Sequence, residues 1–194
     1  MSYRKDYLQS HNVDWFACVN GIWIHSASRG GLLPSKVDNE VVLPRLQGIC
    51  SNLPDICDRK DILINDDLLE ERYRRALDIY AHYYGDNTEF QGHDEALDHN
   101  EFLSQYSELF VDMAVKGFYS FVRVDIDDDY SNEYRLVAYP PKIENNKLDS
   151  LIRHPFDEAF GEDEEMSEYL RNVSIQSNEP IDFQSNLDFI FDSY

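Results

Sequence analysis

The chain has 194 residues, 38 of them acidic and 17 basic, which gives a formal net charge of -21. That length suits one domain, and 42% hydrophobic with 13% aromatic residues supplies a packed core, which excludes wholesale disorder. The charge excludes nucleic-acid binding by phosphate neutralisation, because a phosphate backbone would meet a surface of its own sign.

No stretch approaches the roughly 20 apolar residues of a membrane span. The longest nearly uncharged run, Trp15 to Ser28, is interrupted by Asn20-Gly21 and His25, so no membrane partner is expected. The opening residues Met1-Ser2-Tyr3-Arg4-Lys5-Asp6 carry a basic pair with no apolar stretch behind it. No secretory signal is read there, and a cytoplasmic setting is expected. Three cysteines (Cys18, Cys50 and Cys57) are an odd number in a chain long enough to need no staples. The spacing of Cys50 and Cys57 matches no CxxC metal or redox motif, and Cys18 reads as a small buried hydrophobe.

In chain order, the first element is a β-hairpin at about residues 14–27. Trp15 to Val19 and Ile22 to His25 are β-rich runs on either side of Asn20-Gly21. That dipeptide suits the type I′ turn, which needs positive φ at both central residues. Ser28 to Pro34 is an irregular connection with two glycines. In residues 35–60 a stripe of Val37, Val41, Val42, Leu46 and Ile49 is crossed by Pro44, which predicts short helical turns joined by loops.

A helix is predicted over 66–84, capped by Asn65 or Asp66 and stopped at Gly85. Leu69, Tyr73, Ala76, Leu77, Tyr80 and Tyr84 repeat at three and four along it as one apolar-aromatic stripe; Tyr73, Tyr80 and Tyr84 are expected in the core, with Tyr83 exposed beside them. Residues 86–98 read as a loop. A second helix is predicted over about 100–116, with Asp98 and Glu101 as a capping box, Phe102, Tyr106, Leu109, Phe110 and Met113 as its apolar face, and Gly117 at its end. The two are expected to form an antiparallel pair. Residues 118–139 read as a second hairpin, turning through the acidic Asp127 to Asn132.

From His154 onward the chain holds eleven acids and one base. Aromatic residues are interspersed, which a pure acidic tail lacks. A short helix is expected near 163–172, and Leu187 to Phe191 is expected to dock on the body. The fold class is therefore α+β: two hairpins packed with a pair of amphipathic helices. Residues 1–153 form the core and 154–194 an acidic segment docked on it, within one domain overall.

Three clusters could carry chemistry. His25-Ser26-Ala27-Ser28-Arg29-Gly30-Gly31 follows a strand and resembles an active-site loop, yet it lacks the G-x-S-x-G elbow and any phosphate-loop pattern. Neighbours on a strand also point to opposite faces, which keeps His25 from pairing with Ser26. His93 to Glu101 is dense in metal-type ligands, but its histidines match no zinc spacing. Asp125-Ile126-Asp127-Asp128-Asp129 starts like a calcium loop and then places Tyr130 and Leu136 where Gly and Glu are needed. No catalytic residue, metal ligand or cofactor is assigned from these patterns.

The charge points instead to a protein-binding module for a basic partner, since complementary potentials speed encounter and select partners. Inhibitors of basic nucleases, including toxin-neutralising immunity proteins, share this size and charge. The expected contacts are Asp157, Glu158, Glu162, Asp163, Glu164, Glu165 and Glu168, with Tyr169 as an aromatic anchor. The alternative is a small hydrolase or metal-dependent enzyme built on the His25–Gly31 loop or the His93–Glu101 cluster.

Overall fold

A computed structural model describes residues 1–84, 98–124, 133–141, 145–160 and 163–175. The elements are α1 (Lys5–Ser10), β1 (Asp14–Val19), β2 (Ile22–Ala27), α2 (Leu43–Ser51), β3 (Leu63–Ile64), α3 (Asp66–Tyr84), α4 (His99–Val115), β4 (Tyr119–Arg123), β5 (Tyr134–Tyr139), α5 (Asn145–Phe160), α6 (Glu164–Asn172) and β6 (Ser174–Ile175). The fold is α+β, and its centre is one mixed sheet in the order β3-β5-β4-β2-β1-β6.

The β1–β2 hairpin forms as its turn chemistry requires. Asn20 and Gly21 take φ of +52 and +80, and Val19 pairs with Ile22 across them. Five of six residues in each strand are buried. Successive side chains point to opposite faces, so both faces of this hairpin are covered. β4 and β5 pair antiparallel, with an irregularity between Ser120 and Phe121. The two hairpins join because β2 runs parallel to β4, setting His25 beside Ser120 and Ala27 beside Val122. β6 lies parallel to β1, carried there by the chain leaving α6.

Two apolar clusters pack on this sheet. The larger gathers Leu43, Leu46 and Cys50 of α2, Leu148, Ile152 and Phe156 of α5, and Tyr169 and Leu170 of α6 against Trp15, Val19, Trp23 and Ile24. The smaller sets Leu68 and Leu69 of α3 and Phe110, Val111 and Ala114 of α4 against Val122, Val137 and Ala138. Both central helices are capped from the side chains expected. Asn65 Oδ1 accepts the Leu68 N–H at 3.1 Å, and Asp98 Oδ1 accepts the Glu101 N–H at 2.8 Å.

The structure adds to or departs from expectation at several points. The 35–60 segment is short helical turns joined by loops, as expected, and Pro44 sits in the first turn of α2, where its missing N–H would have had no helical partner. The aromatic stripe of α3 is not core along its length, for Tyr80 and Leu77 are 42% and 37% exposed. Already at its second turn Glu71 meets Arg135 at 2.8 Å, and Arg72 donates to the carbonyls of Arg123 and Val124, so the later turns run past the strand ends. α5 spans residue 153, and its buried stripe of Leu148, Ile152 and Phe156 is obscured in the sequence by Pro155. Finally, the edge strands β3 and β6 and the short α1 had no sequence expectation. The side chains of Tyr83 and Tyr84, and the expectations at Gly85, 86–97, 125–132 and 187–191, lie outside the described residues.

Gly31 is fixed by packing, since a Cβ there would coincide with the guanidinium of Arg123, itself 1% exposed. Gly21 has open space and only its positive φ to satisfy. Gly21→Ala is therefore expected to lower stability by about 1 kcal/mol, and Gly31→Ala by about 2 kcal/mol through displacement of a packed side chain. Urea unfolding of the two variants measures both, and the order of the losses is the decisive outcome.

Candidate functional site

The His25 loop resolves into two different environments. His25 is fully buried in the middle of β2, with ring contacts to Phe16 and Phe110. Its Nδ1 is 2.6 Å from Ser120 Oγ on β4, and its Nε2 is 3.7 Å from Asp14 Oδ1 on β1, beyond hydrogen-bond range. Ser, His and Asp are thus brought into the order of a nucleophilic relay from three adjacent strands. Ser120 is also fully buried, however, so no substrate carbonyl can reach it in this conformation. Ser26 points to the other face of the strand, and its hydroxyl has no hydrogen-bond partner among the described residues. The cluster as it stands is a buried polar joint of the sheet.

Past Ala27 the same loop turns sharply. Gly31 N–H donates to the Ser28 carbonyl at 3.0 Å, with Arg29 and Gly30 at φ of +51 and +81. Ser28 Oγ accepts the Val13 N–H at 2.9 Å, tying the turn to the start of β1. The turn faces α4 across a cleft of about 480 Å³.

In the His93–Glu101 cluster, His99 Nε2 meets Glu70 Oε1 of α3 at 2.7 Å, and Asp98 is spent as the α4 cap. Among the described residues no group of three or more His, Cys, Asp or Glu could hold a metal ion. The remaining ligand-type residues of that cluster, and the 125–129 run, lie outside the described residues.

The acidic residues spread over α5 and α6. Asp157, Glu158, Asp163, Glu164, Glu165 and Glu168 are all exposed, while Glu162 lies outside the described residues. Asp157 and Glu158 line a cleft of about 550 Å³ with Asp149 and His154. Glu165 and Glu168 line another, of about 530 Å³, whose far wall is the 35–39 segment with Lys36 and Asp38. Asn39 Nδ2 donates to Glu165 Oε1 at 3.4 Å across it. Asp38 was not singled out by the sequence. Burial raises its carboxyl above the usual value, opposed by the Tyr3 N–H that it accepts at 2.8 Å.

Tyr169, expected as an aromatic anchor, lies on the inner side of α6. It is 4% exposed, and its hydroxyl donates to the Val37 carbonyl at 2.9 Å, pinning α6 to the 35–39 segment. Helical spacing explains this: Tyr169 and Leu170 form the inner face of α6, opposite Glu164 and Glu168.

No helix among the described residues is long and apolar enough to cross a membrane. No protein-family model matches the chain, and comparison with curated proteins and with solved structures gave no match.

Ser120→Ala would leave the buried His25 Nδ1 without its hydroxyl, at a cost of about 1–3 kcal/mol, whereas Ser26→Ala removes a hydroxyl that has no partner and should be neutral or stabilising. Thermal and urea unfolding of the two variants check the contrast. A second expectation concerns alkaline pH. Burial raises the Tyr169 phenol well above the ordinary 10.0, and burial with the nearby Tyr7, Asp38 and Glu40 raises Tyr3 to about 12. The folded state favours both neutral phenols, so their stabilisation is complete below pH 10 and is lost as pH rises above it. A Tyr3→Phe, Tyr169→Phe double variant should lose about 1 kcal/mol at neutral pH with the Val37 bond. Its stability should then fall less steeply than the parent's between pH 10 and 12, as followed by urea midpoints.

Proposed function

We propose that the protein is a binding module for a basic protein partner, of the kind represented by immunity-type inhibitors of basic toxins or nucleases. The observation that carries this reading is the cleft between α6 and the 35–39 segment. Glu165 and Glu168 stand on one wall and Asp38 on the other, around a space of about 530 Å³. A lysine or arginine side chain entering it would meet three carboxylates at once, with Lys36 as the one opposing cation in the lining. The charge of such a cation would oppose the burial effect that raises the Asp38 carboxyl, and binding would lower that group's pKa.

The surroundings support the same chemistry. Asp163 and Glu164 continue the acidic face of α6, and Asp157 and Glu158 continue it along α5. The net charge of -21 extends an attractive field well beyond the contact. Tyr169 holds α6 in place through Val37 and also lines this cleft. A cytoplasmic setting and an inhibitory outcome belong to the same proposal.

The test is association with a purified basic partner, measured over a range of salt. Rates should fall steeply as ionic strength rises. Glu164→Lys, Glu165→Lys and Glu168→Lys together should weaken binding by about ten-fold or more, roughly 1.4 kcal/mol, with an unchanged circular dichroism spectrum. Equal affinity of the charge-reversed variant would leave these acids as a solvated face and remove the basis of the proposal.

A further inference from the structure

The cleft between the Ser28–Gly31 turn and α4 is separate from the acidic surface. Its lining mixes Asn12 and Arg29 from the β1–β2 end with Phe102, Gln105, Tyr106 and Leu109 from α4. Three features converge on it.

The first is backbone strain. Arg29 holds φ of +51, a left-handed conformation that is easy for glycine and unfavourable for an arginine. The turn is fixed from both sides: Asn12 Oδ1 accepts the Arg29 N–H at 2.8 Å, and the Gly31 N–H closes on Ser28. A glycine or asparagine would satisfy this turn with less strain, so the arginine is there for its side chain.

The second is the position of that side chain. The guanidinium lies 4.4 Å from the centre of the Tyr106 ring. No carboxylate pairs with it among the described residues, although the chain carries 38 acids. Arg59, Arg135 and Arg153 each hold a carboxylate at 2.5–2.8 Å. Among the described residues, the guanidinium of Arg29 is held over a ring and meets no carboxylate.

The third is the facing wall. Phe102, Tyr106 and Phe110 follow one another at every fourth residue of α4, with centroids 5.7 and 5.9 Å apart and planes within 27° and 29° of parallel. Phe110 is sealed in the core, but Phe102 and Tyr106 are half-buried and Leu109 is 38% exposed. This offers a ring-sized apolar face beside a fixed cation.

We infer that this cleft binds a small planar aromatic carboxylate, its ring against Phe102 and Tyr106 and its carboxylate in the fork of Arg29. A guanidinium matches the two oxygens of a carboxylate in one plane, and stacked rings favour a flat apolar body. The amides of Asn12 and Gln105 add neutral polar groups at the same site; Gln105 is steadied by donating to Glu101 at 2.9 Å. A phosphate ester would call for more positive charge than the single cation of this lining supplies.

The test uses 2-naphthoate as the probe, followed by calorimetry and by amide chemical shifts. Saturable binding of one equivalent is expected, with shifts centred on Arg29, Gln105 and Tyr106. The neutral analogue 2-naphthalenemethanol should bind about ten-fold more weakly or worse. Arg29→Gly should relieve the left-handed backbone, so its Tm should equal or exceed the parent's while naphthoate affinity falls by about ten-fold or more. Tyr106→Leu keeps an apolar side chain but removes the stacking ring, and should weaken both probes. Absence of saturation, equal affinity for the neutral alcohol, or undiminished binding to Arg29→Gly would each overturn the inference. A fall in Tm on Arg29→Gly would overturn the strain argument on which it rests.

Discussion

The parallel pairing of β2 with β4 is the joint on which the remaining structure depends. Each hairpin closes locally, but they become one sheet only after the chain has left β2 at Ala27 and returned at Tyr119. Every element between these points, from α2 through α4, belongs to a single long crossover. Closing such a loop loses entropy before the contacts that reward it are made, which makes this pairing costlier to form than either hairpin. Two polar side chains meet at the joint, His25 and Ser120, in a setting where an unmade hydrogen bond is expensive. A histidine between apolar strands specifies one register, because sliding β4 by a residue would turn Ser120 to the opposite face.

Charge is distributed with similar economy. The acids crowd the outside of α5 and α6, whereas two arginines are drawn inside. Arg72 spans from α3 to the backbone at the end of β4, and Arg123 lies in the space that Gly31 leaves open. Both tie helices or loops to the far end of β4. The same turn that makes room for Arg123 at Gly31 presents Arg29 two residues earlier to the α4 cleft, so one short loop positions one cation inwards and another outwards.

Much of the fold was legible because it rests on local chemistry. Asn20-Gly21 has few alternatives to a tight hairpin, and Asp98 with Glu101 announces a helix start wherever the chain goes next. What escaped was set by distant partners. Helical spacing shows that Tyr73 and Tyr80 share a face, but whether a sheet lies opposite depends on where β4 and β5 end. Pro44 and Pro155 each look like helix breakers, and only the position of the helix start separates the tolerated first-turn proline of α2 from the interior one of α5. At the candidate sites, the exposed acids of α6 followed from composition. The partnership of Glu165 and Glu168 with Asp38 joins residues far apart in the chain, and no local pattern signals it. Nor did Arg29 stand out among the residues of its loop. A left-handed φ at a residue other than glycine or asparagine has no sequence signature.

The two outermost strands of the sheet have a different consequence. Among the described residues, β3 and β6 contribute only two residues each at their edges. β3, flanked on both sides by described residues outside the sheet, offers little unpaired backbone for another chain to extend and acts as an end cap against ribbon-like self-association. The protection is uneven. Behind β6 lies β1, whose last five residues are buried, and among the described residues β6 pairs with its Cys18–Val19 end. How well this edge of β1 stays covered thus depends on how firmly α6 and the strand that follows it remain seated.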